Sequence, residues 1–248
     1  MQRRPWNDRP IADLGEALLA LPTDLLRLEP HPYASLGAPY GSGACPFRLR
    51  QGVIRRLLEA QALLQSQHPN WCLAIFDAWR PLAVQAFMVE HAIGQLCRER
   101  GIDPAQPSAA REQAMADVGR FWAPPNPDPG APPPHSTGAA VDLTLARRLD
   151  TGAHELLEMG SEIDAIGAVS EPDHFSRRAA ACADPQQRQT FLRFHGHRQA
   201  LREVMVAAGF VQHPNEWWHF SWGDQLWAWR RDAPLAHYGR IDRPVEAD

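Results

Sequence analysis

Two short segments constrain this chain more than any other feature: His135-Ser-Thr-Gly-Ala-Ala-Val-Asp142 and Glu216-Trp-Trp-His219. They lie about eighty residues apart and together hold two imidazoles and two carboxylates. A fold that joins them has the donors of a catalytic zinc site. Such a site takes three ligands from His, Asp or Glu, keeps a position open for water, and uses a further carboxylate to move protons. In this reading His135, Asp142 and His219 hold one Zn2+ per chain and Glu216 is the base.

At 248 residues, with 44% hydrophobic and 22% charged residues, the chain is expected to form one domain spanning residues 1–248. Its 25 Lys and Arg against 29 Asp and Glu give no electrostatic reason to expect nucleic acid or an anionic membrane as a partner. The first residues lack the apolar core of a signal peptide, and no stretch has the apolar length of a bilayer span, so a cytoplasmic location is expected. Cys45, Cys72, Cys97 and Cys182 are scattered and form no Cys-x-x-Cys pair, which predicts buried free thiols.

Apolar residues at helical spacing predict a helix over Gly52 to His68, ending before Pro69. Trp71 to Phe76 reads as a buried strand, and Pro81 to Arg100 as a helix opening on its proline, so Arg80 sits at a strand-to-helix turn. A further helix is expected over Ala109 to Trp122. Residues 124–134 are so rich in proline that they form a stiff loop, which delivers His135. Ala139 to Leu145 reads as a strand with Ala140, Asp142 and Thr144 on one face. Leu149 to Pro185 has no strong period, Pro185 to Gly209 is a long helix, and Phe210–Gln212 and Trp217–Trp222 are the last strands. Without regular βαβ alternation, the class is α+β.

Each site residue has a plainer reading. His135 could cap a turn while Asp142 pairs with an Arg; Glu216 could be exposed on a core strand beside a hydrogen-bonded His219. Arg80, held near the interior, either stabilises an oxyanion or forms a salt bridge with Asp77 or Glu90. The remaining histidines, among them His31 and His213, fall in no competing ligand spacing and are expected mostly at the surface. Glu155, Glu158, Glu162 and Asp164 read as a solvated acidic loop.

Taken together, Asp77-Ala-Trp-Arg80-Pro81, His135 to Leu145, Leu149-Asp-Thr-Gly152, Met159-Gly-Ser-Glu-Ile-Asp164 and Glu216-Trp-Trp-His219 resemble the D-alanyl-D-alanine dipeptidases of the vancomycin-resistance type. The matches run in family order over residues 77 to 219. The resemblance implies a D,D-peptidase/hedgehog-like zinc fold, with a central mostly antiparallel sheet flanked by helices and a motif-bearing core over about residues 52–224. It implies a zinc dipeptidase cleaving D-alanyl-D-alanine, with His135, Asp142 and His219 as ligands, Glu216 as general base and Arg80 as oxyanion stabiliser. Asp164 takes the place of the family's ammonium-binding aspartate. Two departures stand out. Pro133 occupies a position where the family usually has Ser, and the segment Tyr33 to Tyr40 differs from the resistance enzymes.

Two other functions compete with this one. The first is a peptidoglycan D,D-carboxypeptidase or endopeptidase of the same fold, which would normally be exported and commonly carries Tyr-Arg-Ser where this chain has Trp79-Arg80-Pro81. The second is a zinc-binding protein without catalysis, which would need neither Glu216 nor Arg80. The expected partner is a small dipeptide, and the sequence leaves the oligomeric state open.

Overall fold

A computed structural model of the chain describes residues 4–41 and 45–242. The chain begins with β1 (Leu18–Ala20), β2 (Leu26–Arg27), the one-turn helix α1 (Pro32–Ser35) and β3 (Arg48–Arg50), which pairs antiparallel with β1. These pieces are too short to carry a period, so nothing in the sequence announces them. The next three, α2 (Gln51–Gln67), β4 (Trp71–Asp77) and α3 (Leu82–Glu99), match expectation to within one residue at each end. Pro81 is the N-cap of α3 and keeps an extended ψ of 157° rather than entering the helix.

Helix α4 (Ala109–Val118) stops short of Trp122: Gly119 closes it and Trp122 turns inward. The proline loop leads into β5 (Ala140–Arg148), which runs three residues past its expected end at Leu145. The stretch without a period holds β6 (His154–Leu156) and α5 (His174–Ala181). Helix α6 (Pro185–Ala207) starts on an Asp184 cap that accepts from the Gln186 N–H, and Gly209 lies beyond its end with φ +93°. The chain closes with β7 (Val211–Gln212), β8 (His219–Ser221) and α7 (Gln225–Arg230).

The main sheet runs β2-β4-β5-β8-β7, with β6 paired to the far end of β5; only β2 and β4 are parallel. The architecture is the expected α+β one. One face of the sheet, carrying Leu73, Ile75, Val141, Leu143 and Leu145, packs against Val53, Leu57 and Leu64 of α2 and Leu201, Val204 and Met205 of α6. Each such fully buried aliphatic side chain contributes about 1.5–3 kcal/mol over leaving it in water. Alternation along β5 then turns Ala140, Asp142 and Thr144 to the other face. A second core gathers Tyr33, Tyr40 and Trp122 with α3 and α4.

Register places the polar residues. The β4–β5 ladder slips by one residue after Ile75, so Asp77 rather than Phe76 stands opposite Asp142. The β5–β8 ladder sets Asp142 opposite His219. Three polar side chains thereby form one row across three strands.

Among the described residues no helix is long and apolar enough to cross a membrane. All four cysteines are free; Cys72 and Cys97 are buried as expected, but Cys45 and Cys182 are partly exposed because they lie in loop segments rather than in the core. Gly138 ends the turn that carries His135, with φ +71°, and a Cβ there would collide with Leu18 Cδ1. Gly138→Ala is therefore expected to cost about 2–3 kcal/mol in urea denaturation, from left-handed strain and overpacking together.

Candidate active site

The row on β4, β5 and β8 is completed from above by His135, on the single turn Pro134–Thr137 that follows the proline loop. Arg50 fixes that turn from below: its buried guanidinium donates to Thr137 O at 2.9 Å and also to Glu16 O, Asp13 Oδ2 and Gly239 O. His135 Nδ1–H donates to Ala78 O at 2.7 Å, which turns Nε2 toward Asp142 and His219. His219 presents Nδ1 to the same point while its Nε2 lies 3.3 Å from Ser221 Oγ. The Ala78 carbonyl, which can only accept, thus sets the tautomer of His135.

The three side chains form a triangle, with both oxygens of Asp142 facing the two imidazoles. His135 Nε2 is 3.2 Å from His219 Nδ1 and 3.2 Å from Asp142 Oδ2, and His219 Nδ1 is 3.1 Å from Asp142 Oδ1. A tetrahedral zinc with ligands at about 2.0–2.1 Å holds neighbouring ligand atoms about 3.3 Å apart. Asp142 Oδ1 is buried yet accepts no hydrogen bond, a costly state for a carboxylate oxygen that a cation would relieve. Burial opposes ionisation of Asp142, but the two imidazoles outweigh it and hold the carboxyl well below the usual range. Among the described residues this is the one cluster of at least three His, Cys, Asp or Glu side chains able to share an ion. The donors fit a zinc ion.

Glu216 follows the Pro214-Asn215 turn in irregular backbone, so the strand begins at His219 and not at Trp217. That irregularity lets a residue three positions away share the site: Glu216 Oε2 is 3.7 Å from His219 Nδ1. Glu216 is 6% exposed, which rules out the surface reading for it. Burial, then Asp142 and Asp164, push its pKa well above the ordinary glutamate value, making it a stronger proton acceptor.

Arg80 lies in the same pocket and also forms the plainer salt bridge with Asp77: Nε and Nη2 donate to Asp77 Oδ2 at 3.0 and 2.7 Å. Glu90 is exposed on α3 and is not its partner. Nη1 donates to Gln85 Oε1 at 2.9 Å, and the guanidinium lies 5.0 Å from the Tyr33 and Trp122 ring centroids. Burial works against its charge, but Asp77 more than offsets this and raises its pKa.

Asp164 lines the pocket rather than a solvated loop, unlike Glu155, Glu158 and Glu162, which are exposed. It adopts φ +66° and accepts from Tyr33 O–H at 2.7 Å. Burial and the charge of Asp142 push its pKa up to about 7. The loop carrying it is held by Arg198 of α6, which donates to Met159 O, Val169 O and Glu171 O.

Two histidines expected at the surface are buried. His31 accepts from the Ala34 N–H on Nδ1 and donates from Nε2 to Asp77 Oδ1 at 3.1 Å; Tyr40 O–H reaches the same oxygen at 3.3 Å. His213 Nδ1 lies 3.2 Å from Glu216 Oε1. Burial, then His219 and Arg4, keep His213 well below the usual histidine pKa, so it stays neutral. The signal for His213 was its place three residues before Glu216 around a Pro-Asn turn. His31 had no such signal.

A buried His, Asp, His triangle with a separate glutamate and an arginine beside it is a donor set of the kind metallohydrolases use. The chain matches the family model for D-ala-D-ala dipeptidase, Peptidase M15, over residues 27–237. It is 39% identical to the D-alanyl-D-alanine dipeptidase of Synechocystis sp. (strain ATCC 27184 / PCC 6803 / Kazusa), over 96% of this chain and 97% of that protein. The chain belongs to the D-alanyl-D-alanine dipeptidase family and is a peptidase. A shorter match, 37% identity over 91 residues and 37% of each chain, is to the D-alanyl-D-alanine dipeptidase of Enterococcus faecium. Among solved structures, a mutant of the vancomycin resistance D,D-pentapeptidase VanY in complex with Zn(II) aligns with TM-score 0.43 and 15% identity, over 86% of this chain and 82% of that one.

Proposed function

We propose that this chain is a zinc-dependent dipeptidase that hydrolyses D-alanyl-D-alanine to two D-alanines, with His135, Asp142 and His219 holding one Zn2+. The observation that carries the reading is the triangle of donors around the unbonded Asp142 oxygen, in a chain of this family. Bound there, zinc would supply a Lewis acid that polarises a carbonyl and lowers the pKa of a water to about 7. Glu216 takes a proton from the attacking water and returns it to the leaving amine. Its burial keeps that proton from exchanging with solvent. Arg80, pre-aimed by Asp77 and Gln85, donates to the oxyanion of the tetrahedral intermediate without reorganising.

A free dipeptide brings an ammonium, and Asp164 with the Tyr33 hydroxyl forms its receptor. Ionised Asp164 pairs with that ammonium, which offsets the desolvation that raised its pKa. The test is hydrolysis of free D-alanyl-D-alanine, L-alanyl-L-alanine and an N-blocked wall pentapeptide by zinc-loaded protein and by Asp164→Asn. Turnover of the free D,D-dipeptide alone is expected, with KM raised about 10- to 100-fold in the variant. Cleavage of only the blocked pentapeptide would assign the protein to the carboxypeptidases, and unchanged KM in Asp164→Asn would remove Asp164 from the ammonium site.

A further inference from the structure

The dipeptidase reading, on which this inference rests, leaves one substrate charge unanswered. Asp164 receives the ammonium, but the carboxylate at the other end needs a cation, because a desolvated carboxylate without one is strongly disfavoured. The described pocket wall carries two guanidinium groups, Arg80 and Arg4. Arg80 is already committed to Asp77 and Gln85 and faces the reacting carbonyl.

Arg4 precedes the single turn Pro5–Asp8, whose Trp6 packs against Val211 of β7 and Leu226 of α7. That packing places Arg4, Trp6 and Asn7 in the pocket wall. Arg4 Nη2 donates to Gly119 O at 2.6 Å, with Arg120 O and Trp122 O at 3.4 and 3.5 Å. Its hydrogen-bonding partners there are carbonyl oxygens, which orient the guanidinium and leave its positive charge uncancelled. Trp6 also sets its ring 5.7 Å from that of His213, whose Nδ1 lies 3.2 Å from Glu216 Oε1, so the strap meets the pocket on the His213 and Glu216 side. Asp164 is held instead by Tyr33 of the second core, whereas the strap is anchored on Trp6, Val211 and Leu226.

This polarity matches the reaction. Glu216 protonates the leaving amine, so the C-terminal residue of the dipeptide lies on the Glu216 side and its carboxylate points on toward Arg4. The same wall contains Pro132, Pro133 and Pro134, which offer neither N–H nor hydroxyl to a carboxylate. Pro133 stands where the family usually has a serine. We infer that Arg4 is the receptor for the free C-terminal carboxylate of the substrate, a specificity residue supplied by the N-terminal strap in place of a hydroxyl beside His135.

The test compares free D-alanyl-D-alanine with its C-terminal amide, using wild type, Arg4→Gln and Arg4→Lys. The ratio of kcat/KM for acid over amide is expected to fall about 10- to 100-fold in Arg4→Gln, chiefly through KM, and to recover in part in Arg4→Lys. An arginine that only braces residues 119–122 would lower both substrates in parallel, and an unchanged ratio overturns the inference. A second readout avoids turnover: in a Glu216→Gln background, tryptophan fluorescence reports the affinity for acid and amide, and the acid preference should vanish with Arg4→Gln. Wild type that cleaves neither substrate would overturn the dipeptidase reading, and this inference with it; wild type that cleaves both equally well would overturn this inference alone.

Discussion

Glu216→Gln is expected to lower kcat on D-alanyl-D-alanine by about 10³- to 10⁴-fold while leaving KM within a few-fold of wild type. Gln keeps the shape and a hydrogen-bonding oxygen but cannot take a proton, so the loss falls on the transition state. The environment argues for the upper part of that range. Glu216 is buried beside Asp142 and Asp164, which raise its proton affinity, and it sits 3.7 Å from His219, where a water at the metal position is within reach. Zinc content should be unaffected, because Glu216 is outside the triangle of donors. Full activity in the variant would remove Glu216 from the mechanism; loss of zinc together with activity would make it a ligand instead.

Stripping the metal should have a larger effect on rate. Dialysis against a strong chelator is expected to bring hydrolysis below detection, with one equivalent of zinc restoring it, because the water then loses its acidity and the carbonyl its polarisation. The protein should also melt about 5–10 °C lower, since an ion bound only by the folded state at about a hundredfold its Kd adds about 2.7 kcal/mol. Asp142 accounts for that second effect. Without a cation its buried Oδ1 has no hydrogen bond, and the carboxylate is held only by its imidazole and guanidinium neighbours. Activity that survives chelation, with metal absent by elemental analysis, would disprove the zinc reading.

The residues that gather in the candidate site were more legible than the short elements of the fold. His135, Asp142, Glu216, His219, Arg80 and Asp164 all lie in one pocket, and each belongs to a motif whose residue types have few other uses in combination. Long helices were equally plain, because α2, α3 and α6 repeat their apolar positions over several turns. Of the pieces that escaped, β1, β2, α1, β3 and β6 are two to four residues long, and the helices α5 and α7 only eight and six, too short to show a clear period. His31 and His213 escaped for a related reason. Their burial is decided by what packs on them, Phe47 and Tyr40 on the one and Trp6 on the other, and no local spacing reports it. The place of Arg80 was half legible: salt bridge and oxyanion donor were posed as rivals, whereas the bond to Asp77 holds the guanidinium in the pocket and leaves the proposed role open to it. Arg4 carried no signal, since an Arg-Arg pair near the start of a chain looks like any solvated charge.

The one-residue slip in the β4–β5 ladder, which brings Asp77 opposite Asp142, also bears on how the protein matures. The donor triangle exists only when β5 has found β8 in the right register and the His135 turn has settled above both. A chain with either strand misaligned presents Asp142 to the wrong face and captures no ion. On the zinc reading proposed above, metal uptake would be an assembly checkpoint: the ion would bind only once distant strands had met correctly, and a newly made chain would be inert until they did.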